Sequence, residues 1–297
     1  MKTPVRPLFF APATILAGIL LGIPLIAQST IPTPVFEFRF NDSGADTAST
    51  GSNTTNAHLV AWGGSVANLH SADQKGVSGK SGDYAFDNSA SDKMGGSSGS
   101  PGQGGAARIL QADGMGAVTL QSFTVQGWYY GNSQPTGAAR LLEFSGLQVM
   151  FSNNGLTMAF NGNTLTVQAG DGYDYRPTEN WVFFAISVDA SVSTNNVKFY
   201  AGTVADEVAP VATFSLTPAQ IGTISSETLR IGNTSALDRP FDGLIDNMRI
   251  WNTALDEATL RSVRTADLSF STIPEPSSIG LFGGLAILSA MLFLRRR

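Results

Sequence analysis

The sequence predicts an all-β fold: a two-sheet antiparallel sandwich of jelly-roll type with one short C-terminal helix, flanked by two apolar terminal helices. Two observations predict it. Apolar and polar residues alternate with period two through the centre of the chain, as in strands with one buried face. Gly, Asn and Ser turn signals divide that alternation into at least eleven short segments, the count and spacing of a sandwich.

The first segment, 35–40, sets Phe36, Phe38 and Phe40 on one face and Val35, Glu37 and Arg39 on the other. Segments 123–130, 139–144, 147–151, 156–160 and 164–168 follow. Between them, Asn153-Asn154-Gly155 and Asn161-Gly162-Asn163 are hairpin signals, because Asn and Gly tolerate the positive φ of primed turns. Further strands are expected at 181–189, 196–201, 211–216, 228–232 and 243–251. The helix is expected over 257–264, with Asp256 as its N-cap and Arg261 and Arg264 suiting the negative end of its dipole. No internal repeat stands out, and the stretch 95–105 is too rich in glycine to form an element.

Composition narrows the function. Of 297 residues only 14% are charged, against roughly 25% in an average globular protein. Setting aside Lys2 and Arg6 at one end, and Glu275 and three Arg at the other, leaves 13 basic and 22 acidic groups, a net of −9. So acidic a body repels phosphate backbones, so nucleic acid is not expected as a partner. Neutral glycans and cations remain compatible. With no cysteine, disulfides, thiolate metal sites and a Cys nucleophile are excluded.

The two ends read as addresses. Residues 1–28 have the parts of a secretory signal: Lys2 and Arg6, an apolar run over 8–27, and small residues near Ala27. At the other end, Pro274-Glu275-Pro276 precedes an apolar run over 279–294 and then Arg295, Arg296 and Arg297. Sixteen helical residues span about 24 Å, short of the hydrocarbon core, so the segment suits transient insertion during export. The arginines would hold that end on the cytoplasmic side. The order of these three parts resembles the PEP-CTERM sorting signal. That resemblance implies a Gram-negative source, removal of the tail by an exosortase-type enzyme, and association with exopolysaccharide or biofilm matrix. The expected organisation is therefore a signal peptide over 1–28, one domain over 29–268 and a sorting tail over 269–297.

The middle also resembles a known family. Phe123-Thr-Val-Gln-Gly-Trp-Tyr-Tyr-Gly131, the Trp181–Asp189 stretch, Val197-Lys-Phe-Tyr-Ala-Gly202, Leu229-Arg-Ile-Gly232 and Phe241-Asp-Gly-Leu-Ile-Asp-Asn-Met-Arg-Ile-Trp251 occur in the order of LamG-like, concanavalin A-type domains. Leu255-Asp256 then opens the closing helix as in that family. The blocks cover roughly 36–263 and imply a jelly roll. Many members hold one Ca²⁺ between first and last strands, which here would use Asp246 and Asp42 in a purely structural site. Trp128, Trp181 and Trp251 fall at strand positions of the family and are expected in the core.

Catalysis finds little support. Retaining glycosidases of this fold carry Glu-x-Asp-x-x-Glu, and no such spacing occurs. Glu143 has no fellow carboxylate on its strand, and His58 and His70 both lie in the loop-rich N-terminal third. Gly95-x-Ser97-x-Gly99 matches a nucleophile elbow only by chance within a Gly/Ser tract. Sugar binding needs exposed rings beside polar groups. The best loop for that is Asp171-Gly-Tyr173-Asp174-Tyr175, with Trp62 a second candidate. The expected function is a non-catalytic, exported cell-surface or matrix module that binds polysaccharide or a neighbouring surface protein. The alternatives are a purely structural matrix protein and a divergent glycan-active enzyme.

Overall fold

The computed structural model describes residues 30–89, 104–135, 137–152 and 154–270. The signal, the sorting tail, the chance Gly-x-Ser-x-Gly match and the Asn153 position of the first hairpin signal lie outside the described residues. In chain order the strands begin with β1 (Phe36–Phe38), β2 (Asp46–Thr47), β3 (Ala57–Val60), β4 (Phe86–Asp87), β5 (Ala106–Ile109) and β6 (Val118–Leu120). The long central strands are β7 (Phe123–Gly131), β8 (Arg140–Phe144), β9 (Leu147–Ser152), β10 (Gly155–Phe160) and β11 (Asn163–Gln168). Next come β12 (Trp181–Val188), β13 (Val197–Thr203), β14 (Ala209–Phe214) and a one-turn helix, α1 (Pro218–Ile221). Then β15 (Ile224–Ser226), β16 (Leu229–Ile231), β17 (Gly243–Trp251) and α2 (Glu257–Ser269) close the domain.

β6 and β15 pair in a separate two-stranded sheet, and the other fifteen strands build two main antiparallel sheets. The smaller runs β1-β17-β7-β12-β13-β14, with β4 beside β17; the larger runs β11-β10-β9-β8-β16-β5-β3-β2. Their inner faces meet in one hydrophobic core that includes Phe36, Phe38, Tyr129, Phe144, Phe151, Phe184 and Phe241. The β10–β11 turn has the geometry its sequence asks for: Asn161 and Gly162 carry φ of 46° and 78° across a two-residue loop. The pattern-rich strands lie where the alternation places them, whereas β2 to β6 and β15 are short and carry too few residues to show a period. His58, assigned to a loop-rich region by sequence, sits on β3.

The outer faces of the two sheets differ, and that difference positions the site. On the smaller sheet Trp128, Phe183, Ala185, Tyr200 and Trp251 form a second apolar cluster, covered by Leu260 and Val263 of α2 and by Val77. Asp256 caps α2 as expected, accepting from Thr259 N at 2.8 Å. The helix continues past 264 to Ser269, because Asp267 is tied into the sheet by Trp128 Nε1 (2.9 Å) and Arg249 Nη2 (2.6 Å). On the larger sheet Val60, Ala106 and Leu237 make a small apolar patch. The rest of that outer face is mostly polar, with Met150 and Ala159 among its described residues.

Candidate functional site

Register defines that polar face. Residues directly opposite one another on paired strands share a face. Following the pairs across the larger sheet links Asp46 to His58, His58 to Arg108, and Arg108 to Arg230. The same row continues from Arg230 to Glu143, Gln148, Ala159 and Thr164. One residue along each strand, Leu59, Ala107, Ile231, Leu142 and Val149 are buried in the core. The row is therefore the solvent side of the sheet, crossing all eight strands.

Its charges are organised. Arg230 Nη1 lies 3.3 Å from Glu143 Oε1, and Arg140 Nε lies 4.0 Å from the other carboxylate oxygen. Arg140 also donates to Gln148 Oε1 (3.0 Å) and to Ala138 O (2.8 Å). Burial, opposed by Glu143 and reinforced by Arg239, lowers the Arg140 pKa from its ordinary value. At the edge, His58 Nδ1 is 2.6 Å from Asp46 Oδ1 and Nε2 is 3.4 Å from Asp113 Oδ1. The hydrogen bond to Asp46 raises the His58 pKa, burial works against it, and Asp113 adds to the rise. Arg108 is different: among the described residues its Nε has no hydrogen-bond partner, and no ion pair engages its guanidinium.

Two features flank the row. The turn after β3, closed by Ala61 N to Ser65 O at 2.8 Å, holds Trp62 with 45% of its surface exposed. A Cβ placed on Gly64 of that turn would stand 3.9 Å from both terminal nitrogens of Arg108, so the guanidinium lies against the Trp62 turn. In the other direction, Thr228 and Ser145 stand two residues beyond Arg230 and Glu143. They line a cleft of about 410 Å³ with Gln111, Ser225, Ser226 and Glu227.

The loop favoured from sequence is placed differently. Tyr175 is fully buried; its hydroxyl donates to Tyr200 O at 2.9 Å, and its carbonyl accepts from the Tyr129 hydroxyl. Tyr173 packs edge-on against it, ring centroids 4.9 Å apart, and burial pushes its phenol up to about 12. Asp171 accepts from Gln168 N (2.9 Å), and Asp174 holds Arg176 (3.0 Å). Tyr175 is packed and offers no ring to a ligand, while Asp171 and Asp174 of the same loop are exposed and bonded within it. Trp62 does offer a ring. Trp128 and Trp251 lie in the core side of α2, as expected, while Trp181 is half-buried against the same cluster.

The carboxylates expected to hold calcium have separate partners. Asp42 Oδ2 accepts from Thr47 Oγ1 (3.1 Å) and Ala48 N (2.7 Å), closing its own turn. Asp246 is fully buried, accepting from Val77 N (2.9 Å) and Asn247 N (2.7 Å). Asp42 therefore does not fit a shared site. Asp83 fits better: it is 1% exposed, and its Oδ1 has no partner among the described residues. Burial raises the Asp246 pKa well above its usual value, and the charge of Asp83 raises it further. Among the described residues no group of three or more His, Asp or Glu gathers as a metal cage.

Sequence reading missed Arg108, Arg140 and Arg230. A signal was present: Ala107-Arg108-Ile109 and Leu229-Arg230-Ile231 each set one cation between two apolar residues, which marks an outward position on a short strand. Their meeting in one row depends on strand order, which local pattern does not encode.

A two-sheet jelly roll with one face sealed by a helix and the other open and polar defines a lectin-like sandwich. Residues 103–261 match the Laminin_G_3 model of the concanavalin A-like lectin/glucanases superfamily, and the chain belongs to that superfamily. No curated protein sequence matches the chain. Among solved structures it is similar to domain 4 of AbnA, a GH43 extracellular arabinanase from Geobacillus stearothermophilus, in complex with arabinotriose. That likeness has TM-score 0.50 and 16% identity, and covers 78% of this chain and 98% of that one. It is also similar to the binding domain of Paraclostridial Mosquitocidal Protein 1, with TM-score 0.50, 12% identity and 79% of this chain covered. The chain spans about half the length of that toxin domain, 52%. At these identities the likeness concerns the fold.

Proposed function

We propose that this domain is a non-catalytic glycan-binding module of an exported surface or matrix protein. The observation that carries the reading is the polar row across the open face of the larger sheet, flanked by the exposed Trp62 ring and a sugar-sized cleft. Aromatic rings stack on the apolar faces of sugars, while guanidinium, amide and hydroxyl groups bind their hydroxyls. The arabinanase domain, seen with arabinotriose, supports a glycan-binding use of this fold.

Hydrolysis fits the face poorly. Within the row, the carboxylate nearest to Glu143 is Asp46, four strands away, or about 19 Å at ordinary strand spacing; off the row, Asp238 shares the neighbourhood of Arg140 but is held by Arg239 and Thr234. Glycosidases hold their pair about 5–10 Å apart. The test is binding of the purified full chain to a panel of polysaccharides, with product analysis alongside. Binding without release of sugars supports the reading, and turnover of a bound glycan would overturn it.

The terminal segments complete the proposal. A signal over 1–28 exports the chain, and the Pro274–Pro276 motif with Arg295, Arg296 and Arg297 delivers it to an exosortase-type enzyme that removes the tail. Among the described residues no helix is long and apolar enough to cross a membrane; the proposal assigns membrane contact to the terminal segments on their sequence alone. We place the structural calcium implied by the family resemblance at Asp83 and Asp246; the orphaned Asp83 Oδ1 supports that choice.

A further inference from the structure

We infer that the open face of the larger sheet recognises an acidic polysaccharide, a chain bearing carboxylate groups such as a polyuronate. This rests on the glycan-binding reading and names its ligand class. The body of the chain is strongly acidic, yet the centre of this face gathers cations. Arg108 and Arg230 are register neighbours, Arg140 stands beside Glu143, and Arg140 N donates to Arg239 O at 3.0 Å, bringing Arg239 alongside. These four guanidiniums face two carboxylates, Glu143 and Asp238, each already bonded to an arginine. At the sheet edge His58 is balanced by Asp46 and Asp113 and adds no surplus. The unspent positive charge therefore lies at Arg108, whose guanidinium no ion pair engages among the described residues.

Arg108 Nε is buried without a partner among the described residues, and no ion pair holds the guanidinium, whose terminal nitrogens lie beside Gly64 of the Trp62 turn. A guanidinium fork pairs bidentately with a planar carboxylate, and it does so more selectively than a point charge would. Neutral sugars offer no group that uses the surplus charge. With the turn that carries the exposed Trp62 lying against Arg108 at Gly64, a sugar ring can stack while the carboxylate of the same or the next residue meets the guanidinium.

The test uses the full chain with alginate and polygalacturonate as polyuronates, neutral arabinan and β-glucan, and dextran sulfate, all at physiological salt. The expected result is polyuronate binding that weakens about tenfold or more in Arg108→Gln, with an unchanged melting temperature. Should that variant melt lower, Arg108→Lys serves instead, since it keeps the charge and loses the fork; Trp62→Ala, in an exposed turn, is expected to weaken the same ligands. Equal binding of neutral polymers would overturn the acidic-ligand inference while leaving the wider glycan reading intact. Equal binding of dextran sulfate would reduce the effect to unspecific charge and overturn it as well. Polyuronate binding indifferent to both Arg108 and Trp62 would overturn the site. Binding to none of the polymers would overturn both readings together.

Discussion

Asp83 and Asp246 are buried carboxylates held by consecutive backbone amides: Ser78 N donates to Asp83 Oδ2 at 2.7 Å, and Val77 N donates to Asp246 Oδ2 at 2.9 Å. Burial is the main reason each pKa is raised; the charge of Asp83 adds to the rise at Asp246, and that of Asp267 adds to the rise at Asp83. Both groups bind a proton more readily in the folded chain than in the unfolded one. Stability therefore falls as pH rises from the ordinary Asp value of 3.8 through the raised folded values, and the penalty is complete once both are ionised. Asp83→Asn removes one charge and keeps an oxygen for Ser78. In metal-free buffer at pH 7 it should melt higher than the parent, by roughly 2–4 °C per kcal/mol of repulsion relieved. The gap should close toward pH 4, and thermal denaturation at the two pH values checks it.

Calcium reverses the sign of that experiment. If the orphaned Asp83 oxygen and Asp246 hold the ion, calcium binds only the folded chain and stabilises it by mass action, about 2.7 kcal/mol at a hundredfold excess over Kd. The parent should then melt higher in calcium and return to its starting value in EDTA, while Asp83→Asn should ignore both. An Asp42→Asn variant should still respond, because Asp42 serves its own turn. A parent that does not respond to calcium would remove the site.

The sorting tail has a cellular readout. Deleting residues 274–297 removes the Pro-Glu-Pro motif, the apolar run and the arginines without touching α2, which ends at Ser269. The deletion should change where the mature protein resides, measured by fractionation. The native product should end near Pro274 when its C-terminus is sequenced. An unprocessed C-terminus or unaltered localisation would defeat the sorting-tail proposal.

Local pattern made the long strands legible. Phe36, Phe38 and Phe40 face the core as period two requires, and β17 runs from Gly243 to Trp251 as expected. Three physical causes hid the rest. Short strands such as β2 and β4, two residues each, carry no period. Tyr175 reads as exposed because it stands among Asp and Gly, yet a carbonyl of β13 within reach of its hydroxyl lets the ring bury. Finally, the row from Arg108 to Glu143 joins β5, β16 and β8, which are distant in sequence, so only the folded sheet order reveals it. The Asp246–Arg249 relationship was hidden by a bulge. Residues three apart on a regular strand face opposite ways, but Asn247, at φ 48°, inserts an extra residue, so both side chains point toward α2.

That bulge makes Arg249 the hub of a buried ion network and gives the sharpest stability prediction. Arg249 Nε donates to Glu37 Oε1 (2.7 Å), Nη2 to Asp267 Oδ1 (2.6 Å) and Nη1 to Gln126 Oε1 (3.0 Å). Burial alone would raise the Glu37 pKa, but Arg249 and then Arg39 outweigh it and lower it from 4.5 to about 2. The pairing therefore contributes stability above pH 4.5, lost as pH falls from there toward about 2. Arg249→Met fills similar volume but takes from Asp267 its cation and leaves Glu37 with Arg39 and Thr50 alone, which costs about 3–5 kcal/mol at pH 7. With the guanidinium gone, burial is opposed only by those two partners, so the Glu37 pKa moves up from about 2. The variant should then lose less stability than the parent as pH falls through that interval. Melting curves from pH 7 to pH 3 should show a shallower slope for the variant; parallel slopes would mean that Arg249 does not set the ionisation of Glu37.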